Sequence, residues 1–196
     1  MGKIFYIMGK SASGKDSIYR KMLGKEELQL QKMVLYTTRP IRQGEISGNE
    51  YHFVDEQKLE AIKGEGKLIE SRAYNTVHGV WIYFTADDGE IDLDKDNYLS
   101  IGTLESYQKL VDYFGDDKLC PIYVEVEDGE RLKRAIKREG KQVKPVYEEV
   151  CRRFLADSED FSEEKLKVAG ITKRFLNHDK EVCREEIGKY IGSMIY

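Results

Sequence analysis

Hydrophobic and polar positions follow two patterns along the chain: short apolar runs, and longer stretches in which apolar residues recur every three or four positions. The apolar runs predict β-strands over residues 4–8, 34–36, 98–101, 122–126 and 171–176. The amphipathic stretches predict helices over 15–23, 103–113, 129–139, 145–160 and 179–195. Strands that alternate with helices are typical of a parallel sheet with helices on its faces. We therefore predict an α/β fold with a parallel sheet core.

The pattern changes between about residues 36 and 97. Short strand-like pieces rich in Tyr, Thr and Gly surround one helical stretch there, over 56–63. Such a segment inside an α/β chain predicts an insertion that builds a second, smaller β-rich lobe. With 196 residues, the chain is long enough for one well-filled core and short for two full domains.

A glycine-rich segment with the spacing G-x-x-x-x-G-K directly follows the first predicted strand. Its defining positions are Gly9, Gly14 and Lys15, and a helical pattern begins where it ends. Glycines at these positions let successive backbone N–H groups point at phosphate oxygens, and the helix N-terminus adds positive potential. Lys15 would reach the terminal phosphates as a mobile charge. The motif predicts ATP binding by Gly9, Ser11, Ala12, Ser13, Gly14, Lys15, Asp16 and Ser17.

Asp16 stands where this motif normally has Ser or Thr, whose hydroxyl ligates magnesium. A carboxylate is also a hard oxygen ligand, so Asp16 could hold Mg²⁺ directly or through water. Alternatively, Asp16 only complements the positive end of the helix dipole, and Ser17 caps the helix or contacts a phosphate one position late. We favour the metal-binding role, and we expect Mg²⁺ as cofactor and ATP as co-substrate.

Composition and charge argue against several other classes of protein. The formal net charge of −4 is unfavourable for a general nucleic-acid binder. The cysteines lie far apart without a metal-binding pattern, so Cys120, Cys151 and Cys183 are expected to be reduced thiols. The N-terminus carries neither a charged leader nor a long apolar segment. The expected location is therefore the cytoplasm, without a membrane partner.

A second polar motif reads T-T-R-P-I-R-Q-G-E over residues 37–45 and G-N-E-Y-H-F over 48–53. Arg39 and Arg42, with Tyr51 nearby, offer a compact set of donors for a doubly charged monophosphate. The alternative is a surface turn with solvated arginines. Both segments carry the letters of the guanylate kinase family, T-T-R-x-x-R-x-G-E and then G-x-x-Y-x-F. Together with the glycine-rich loop, and with looser matches further on, the chain resembles this family over nearly its whole length.

The resemblance implies an α/β fold of the P-loop NTPase type, in which a parallel sheet covered by helices carries an inserted small β-rich lobe and a helical lid. The lobe binds the nucleoside monophosphate (NMP). All three parts would belong to a single domain over 1–196. The expected boundaries are 1–35, 97–127 and 165–196 for the core, about 36–96 for the NMP-binding lobe, and about 128–160 for the lid.

For the acceptor nucleotide, the resemblance assigns Arg39, Arg42 and Tyr51 to the phosphate. His78 stands where the family has a tyrosine that contacts the same phosphate. Glu70 matches the glutamate that reads guanine. A carboxylate suits that role because it can accept the hydrogens of N1 and of the exocyclic amine, whereas adenine presents an acceptor at N1.

For the lid, the resemblance assigns Arg134, Arg138 and Arg153 to the triphosphate, over which they would close. Arg134 and Arg138 are four residues apart and so share one helical face. Asn177 matches a contact to adenine. The residues expected to act in catalysis are Lys15, Arg39, Arg138 and Arg153.

The chain departs from the family pattern at several positions. Leu35 and Val80 stand where polar groups would contact the base, and Ser100 and Gly102 replace both acids of an L-D-x-D segment. Asp16 and Glu105 are the candidate replacements for those acids. These departures leave the phosphate sites unchanged but put strict guanine specificity in question.

Phosphoryl transfer requires alignment and neutralisation of developing charge rather than a covalent nucleophile, and the residues above suit that chemistry. We predict an enzyme, a nucleoside monophosphate kinase that transfers the γ-phosphate of ATP to GMP or dGMP. Two alternatives stay open at this point. One is a kinase of the same fold with a different acceptor, and the other is a guanylate-kinase-like binding or interaction module without turnover.

Overall fold

The computed structural model describes residues 1–76 and 79–195. The strands within them are β1 Ile4–Met8, β2 Leu30–Lys32, β3 Tyr36–Thr37, β4 His52–Phe53, β5 Leu68–Thr76, β6 Gly79–Ala86, β7 Asn97–Gly102, β8 Leu119–Glu125 and β9 Arg174–Leu176. The helices are α1 Lys15–Leu23, α2 Glu56–Gly64, α3 Leu104–Phe114, α4 Asp128–Glu139, α5 Tyr147–Asp160, α6 Glu163–Val168 and α7 Lys180–Ile195. None of the described helices is both long and apolar enough to cross a bilayer.

Five parallel strands form the main sheet in the order β2-β7-β1-β8-β9. Every residue of β1 is buried, because alternate side chains enter different cores on the two faces of the sheet. Tyr6 packs in one core and Phe5 in the other. The central place of β1 brings the residues after Met8 to the carboxyl edge of the sheet, where ligands bind in open α/β folds. The predicted α/β class is confirmed.

A second sheet has the order β4-β3-β6-β5, and its largest part is the antiparallel pair β5 and β6. One face of this sheet packs on α2, where Phe84 joins Leu59 and Ile62 in a small core. Side chains alternate along a strand, so the residues before and after Phe84 face away from α2. That opposite face of the hairpin is turned toward the main sheet's carboxyl edge.

The place of one strand and the edge of the main sheet differ from the sequence prediction. The strand predicted over 34–36 is Tyr36–Thr37, and it belongs to the small sheet rather than to the core. The edge of the main sheet is formed instead by Leu30–Lys32, a segment of alternating polarity that is only partly buried. An edge strand contacts the core less than a central strand does, so it lacks the apolar run by which β1 was predicted.

Candidate active site

A cavity of about 460 Å³ lies between the glycine-rich loop and the β5–β6 hairpin. The core side contributes Gly9, Ser11, Lys15, Asp16, Leu35, Ile101, Gly102 and Thr103 to its lining. The small lobe contributes Tyr51, Arg72, Tyr74, Trp81 and Tyr83, and the end of α5 with the residue after it contributes Asp157, Asp160 and Phe161. The fold therefore places the glycine-rich loop on one wall of the cavity and the β5–β6 hairpin, with Tyr51 of the second motif, on the other.

Positive φ angles shape the loop between β1 and α1. Gly9 has φ 152°, Ala12 has 63° and Gly14 has 90°. A Cβ on Gly9 would stand 2.4 Å from the carbonyl oxygen of Val124, and one on Gly14 would stand 2.5 Å from Asn177 Nδ2. Both glycines are thus required by conformation and by close approach. Gly14 also has no side chain to cap α1, so the first N–H groups of that helix stay available to a ligand.

Asn177 and Arg134 support this loop instead of lining the cavity. The buried side chain of Asn177 donates from Nδ2 to the carbonyl oxygen of Ser13 at 2.7 Å. The backbone carbonyl of Asn177 in turn accepts from Arg134 Nη2 at 3.2 Å. The structure therefore gives both residues a bracing role at the loop, and their contacts to ATP stay a prediction.

The hydroxyl of Ser17, whose predicted contact to a phosphate stays a prediction, is bonded within the protein. Its hydroxyl accepts a hydrogen bond from Arg184 Nη2 on α7 at 2.7 Å and does not line the cavity. Ser13 behaves differently, because its hydroxyl is buried without a hydrogen-bond partner among the described residues. Ser13 Oγ lies 3.1 Å from the point that a Gly9 Cβ would occupy, which places it inside the loop.

An acidic side chain occupies part of the phosphate-binding loop. Asp157 Oδ2 accepts the backbone N–H of Ser11 at 2.8 Å, a donor that the motif predicts for a phosphate oxygen. The same oxygen accepts from Arg131 Nη1 at 3.0 Å. Arg131 is buried, with its guanidinium 4.2 Å from the ring centroid of Phe154, and Asp128 binds its other side. The Asp157 carboxylate of α5 thus takes the place at the loop that a phosphate oxygen would use.

The residues of this wall fit a magnesium ion that is shared with a triphosphate. Asp16 places a carboxylate in the cavity beside Lys15, and Mg²⁺ is commonly held by one or two carboxylates together with phosphates. Within the described ranges, the one group of three possible metal ligands is His52, Asp88 and Glu90, and none of these lines the cavity. Asp157 and Asp160 also line the cavity, but Asp16 is the carboxylate that directly follows Lys15, so a metal-binding role for Asp16 stays a prediction.

On the opposite wall, Arg39 is buried and already bonded. Its Nη1 and Nη2 each donate to one carboxylate oxygen of Glu45 at 2.9 Å, and its guanidinium lies over the rings of Tyr51 and Phe53. These bonds raise the pKa of Arg39 and lower the pKa of the Glu45 carboxyl. Tyr51 lines the cavity, and Arg39 lies directly behind it.

Arg42 is exposed, with its guanidinium 6.0 Å from the ring centroid of Trp81. His78 and its neighbour Val77 lie outside the described residues. The tyrosine that the structure brings near Arg39 is Tyr83, which contributes to the raised pKa of the Arg39 guanidinium and packs against Tyr51 with ring centroids 5.5 Å apart. Sequence reasoning missed Tyr83, although successive side chains of a strand point to opposite faces and Tyr83 therefore lies opposite the Phe84 face.

Three cross-strand pairs of the hairpin face the cavity side. Glu70 lies opposite Thr85, Arg72 opposite Tyr83, and Tyr74 opposite Trp81. The innermost pair is buried, whereas the two outer pairs line the cavity. Glu70, the predicted base reader, is therefore not in the lining, and Arg72 is. Residues two positions apart in a strand lie on the same face, so Arg72 shares the face of Glu70. This periodicity could have indicated Arg72 from the sequence.

Tyr6 fills the space where the family pattern has an acid. Gly102 lines the cavity, and a Cβ on it would stand 2.1 Å from the Tyr6 hydroxyl oxygen. Tyr6 is fully buried, which raises the pKa of its hydroxyl. The absence of an acid at Gly102 is thus matched by a bulky neutral residue on β1, and Ser100 beside it is buried with a hydroxyl that lacks a partner among the described residues.

The predicted lid arginines lie outside the cavity lining. Arg138, near the end of α4, is exposed. Arg153 on α5 is also exposed, and its Nε donates to Glu149 at 2.6 Å. Arg152 and Arg153 together lower the pKa of the Glu149 carboxyl to about 2. Arg153 thus contacts Glu149 and Arg138 is exposed to solvent, so their predicted role over a triphosphate stays a prediction that requires these helices to move.

Comparisons with known proteins agree with this architecture. The family model described as guanylate kinase matches residues 1–82. A guanylate kinase from Chromobacterium violaceum is 30% identical over 105 residues, a match that covers 52% of this chain and 47% of that relative. Another, from Nitrosomonas europaea, is 25% identical over 195 residues, which cover 97% of this chain and 89% of the relative. With the first of these relatives, the match spans about half of the relative's length.

A solved structure shares the fold. The crystal structure of guanylate kinase from Anaplasma phagocytophilum superimposes with a TM-score of 0.67 at 19% sequence identity, over 98% of this chain and 85% of that one. This likeness shows that the two chains share a fold. The family model over residues 1–82 and the matched relatives show that this chain is similar to guanylate kinases.

Proposed function

We propose that the protein is a nucleoside monophosphate kinase that transfers the γ-phosphate of ATP to GMP, with dGMP as a further acceptor. One observation carries the proposal: a single cavity is lined by Lys15 and Asp16 on one wall and by Tyr51 and Arg72 on the other. A phosphate donor and a phosphate acceptor would therefore meet in one enclosed space. The relatives that match the chain are named guanylate kinases.

In this proposal, the protein supplies alignment and positive charge. Lys15 and the N–H groups of the loop bind the β- and γ-phosphates, and Arg39, Arg42 and Tyr51 orient the acceptor phosphate. Mg²⁺, when bound, neutralises charge on the transferring group, and Asp16 holds it directly or through water. The buried hydroxyl of Ser13 gains a partner in a phosphate oxygen.

The proposal requires the lid to close. Arg138 and Arg153 lie outside the cavity, and a phosphate at the loop would compete with Asp157 for the N–H of Ser11. Release of Asp157 removes the contact of α5 with the N–H of Ser11, so donor binding and movement of α5 are linked. Closure then excludes water, which would otherwise act as acceptor.

A kinase of the same fold with a different acceptor is the second candidate. It is favoured by the position of Glu70, which is buried behind Arg72 instead of facing the cavity. For either kinase we propose the cytoplasm as the location. The free thiols Cys120, Cys151 and Cys183 and the need for ATP suit a reducing compartment.

The test is a coupled assay of ADP release with ATP and Mg²⁺ across GMP, dGMP, AMP, CMP, UMP and dTMP. Release that depends on GMP and is lost in Lys15→Ala supports the proposal. Release with one other monophosphate alone would replace GMP by that acceptor. If no monophosphate supports release, the protein is a nucleotide-binding module without turnover.

A further inference from the structure

We infer that Arg72, rather than Glu70, reads the acceptor base, and that it does so through the hydrogen-bond acceptors O6 and N7 of a 6-oxopurine. The inference rests on the proposed function, because it names what that same site recognises. It would make Arg72 the specificity-determining residue of the cavity.

The first step concerns Glu70, whose carboxylate is fully engaged. Oε1 accepts from Thr85 Oγ1 at 2.9 Å and from Arg72 Nη2 at 3.4 Å. Oε2 accepts from Arg72 Nε at 3.1 Å and from Ser106 Oγ at 3.2 Å. A carboxylate offers about four acceptor sites, so these bonds use its capacity. The side chain is also only 1% exposed.

The second step concerns Arg72, which lies between Glu70 and the cavity. Its guanidinium pairs with Glu70 along the edge formed by Nε and Nη2. Nη1 has no hydrogen-bond partner among the described residues and lies 3.7 Å from the point that a Cβ on Gly102 would occupy. Both Arg72 and Gly102 line the cavity. The outer edge of the guanidinium, Nη1 with the second hydrogen of Nη2, therefore faces the space for the base.

The third step is the chemistry of that edge. A guanidinium edge presents two parallel donors in a plane, which match the O6 and N7 acceptors of guanine as a bidentate pair. Adenine presents a donor amine at the corresponding position and would oppose the guanidinium. Arg72 is held in place by Glu70, so its orientation costs little entropy on binding.

The consequence is a specific pattern of selectivity. A site that reads N1 and the 2-amino group through Glu70 discriminates GMP from IMP, which lacks the amine. A site that reads O6 and N7 through Arg72 accepts both. Such a site instead discriminates against 7-deaza-GMP, which keeps the guanine N1 and amine but lacks the N7 acceptor.

The wild-type protein tests this without any substitution. We expect kcat/KM for IMP to lie within about fivefold of that for GMP, and kcat/KM for 7-deaza-GMP to be about 10- to 100-fold lower. The reverse pattern, with IMP at least about tenfold poorer and 7-deaza-GMP equal to GMP, would overturn the inference and return base reading to Glu70.

A binding measurement separates this inference from the proposed activity. Trp81 is the single tryptophan of the chain and lines the cavity, so its fluorescence reports acceptor binding without ATP. GMP and IMP that bind alike and more tightly than 7-deaza-GMP support the inference even if ADP is not released, in which case the proposed activity fails alone. If none of these nucleotides binds, the inference is overturned.

Arg72→Met removes the donors and keeps the apolar stem. It should lower kcat/KM for GMP about 10- to 100-fold and abolish the difference between GMP and 7-deaza-GMP, with the KM for ATP unchanged. Since this variant leaves Glu70 buried without its counter-ion, the double variant Glu70→Gln with Arg72→Met provides a second test free of that charge. A 7-deaza-GMP difference that persists in a folded variant would overturn the inference.

Discussion

The glycine-rich loop and the β5–β6 hairpin face each other across one cavity, yet they present their donors in different ways. In the loop the donors are backbone N–H groups, whose directions follow from the positive φ angles of Gly9 and Gly14. In the hairpin the donors are side chains, and Arg72 reaches the cavity because Glu70 holds it there. A phosphate site made of backbone N–H groups can be recognised from the spacing of glycines in the sequence. In a site made of side chains, the tertiary structure decides which side chain faces the ligand.

The two walls also share a feature. On each side a carboxylate accepts from a donor that a phosphate would use. Asp157 accepts from the N–H of Ser11, and Glu45 accepts from Nη1 and Nη2 of Arg39. The loop's carboxylate comes from a distant helix, while Glu45 is only six residues from Arg39. The carboxylate at the loop thus comes from α5, whereas the one at Arg39 comes from the same motif.

The largest expected effect is at the loop. Lys15→Ala should lower kcat/KM for ATP and GMP by about 10²- to 10³-fold, because a charged donor to the transferring phosphate is lost. Lys21→Ala is the matched control, since Lys21 is an exposed residue of the same helix. Equal activity of the two variants in the ADP-release assay would show that the loop is not the triphosphate site.

The matching change on the acceptor wall is Arg39→Lys. An ammonium cannot reproduce the planar fork that Arg39 forms, so we expect the KM for GMP to rise about 10- to 100-fold while the KM for ATP stays unchanged. Arg152→Lys serves as control, because Arg152 also forms a fork with a glutamate but is exposed outside the cavity. Equal increases in both KM values would contradict a role confined to the acceptor.

Two glycines, Gly14 and Gly44, have nearly the same backbone conformation but different surroundings. Comparing their alanine variants separates the cost of the positive φ from the cost of a close contact. Gly14 has φ 90° and Gly44 has φ 86°, and a Cβ on Gly44 would meet nothing within 4 Å among the described residues. Gly44→Ala should lower the free energy of unfolding by about 1 kcal/mol. Gly14→Ala should lower it by about 2–4 kcal/mol, because the Asn177 contact adds to the strain.

Urea unfolding of both alanine variants against the wild type measures the difference. If Gly14→Ala lowered the free energy of unfolding no more than Gly44→Ala, the close approach to Asn177 would add nothing to the cost. The loop would then be able to move away from Asn177, and its geometry would not depend on that close approach.

A smaller effect is expected from Asp157→Asn. The substitution removes a negative charge from the loop and weakens the bond to the Ser11 N–H, so ATP should bind about 3- to 10-fold more tightly. Arg131 keeps its partner Asp128 in this variant. Asp160→Asn is the control, since Asp160 lines the same cavity. Isothermal titration with ATP decides the matter, and equal effects of both variants would mean that only net charge counts.

The smallest expected effect concerns the reactivity of the cysteine thiols, which reports how tightly the core behind the loop is packed. Cys120 and Cys183 are buried there, and burial raises the pKa of the Cys183 thiol to about 11. Cys151 is exposed. We expect one fast-reacting thiol with a disulfide reagent at pH 8, absent in Cys151→Ser, and three after unfolding. A second fast thiol in the folded protein would indicate a loosely packed core.

Much of the fold followed from the sequence. The boundaries of β1 and α1 match the prediction residue for residue, because a central strand must be apolar throughout and the glycine motif sets where the helix begins. The family resemblance and the α/β class were confirmed. The edge strand Leu30–Lys32 and the short helix Glu163–Val168 were not predicted, since neither carries a long enough pattern.

The sequence by itself determined the elements that depend on local chemistry: the buried strand, the glycine loop with Lys15, and the paired arginines 39 and 42. Only the tertiary structure decided which side chains meet. It set Arg72 in front of Glu70, Tyr83 against Arg39, and Asp157 on the N–H of Ser11. Backbone conformation is encoded within a few residues, whereas the contacts that choose a base or block a phosphate arise between segments far apart in the chain.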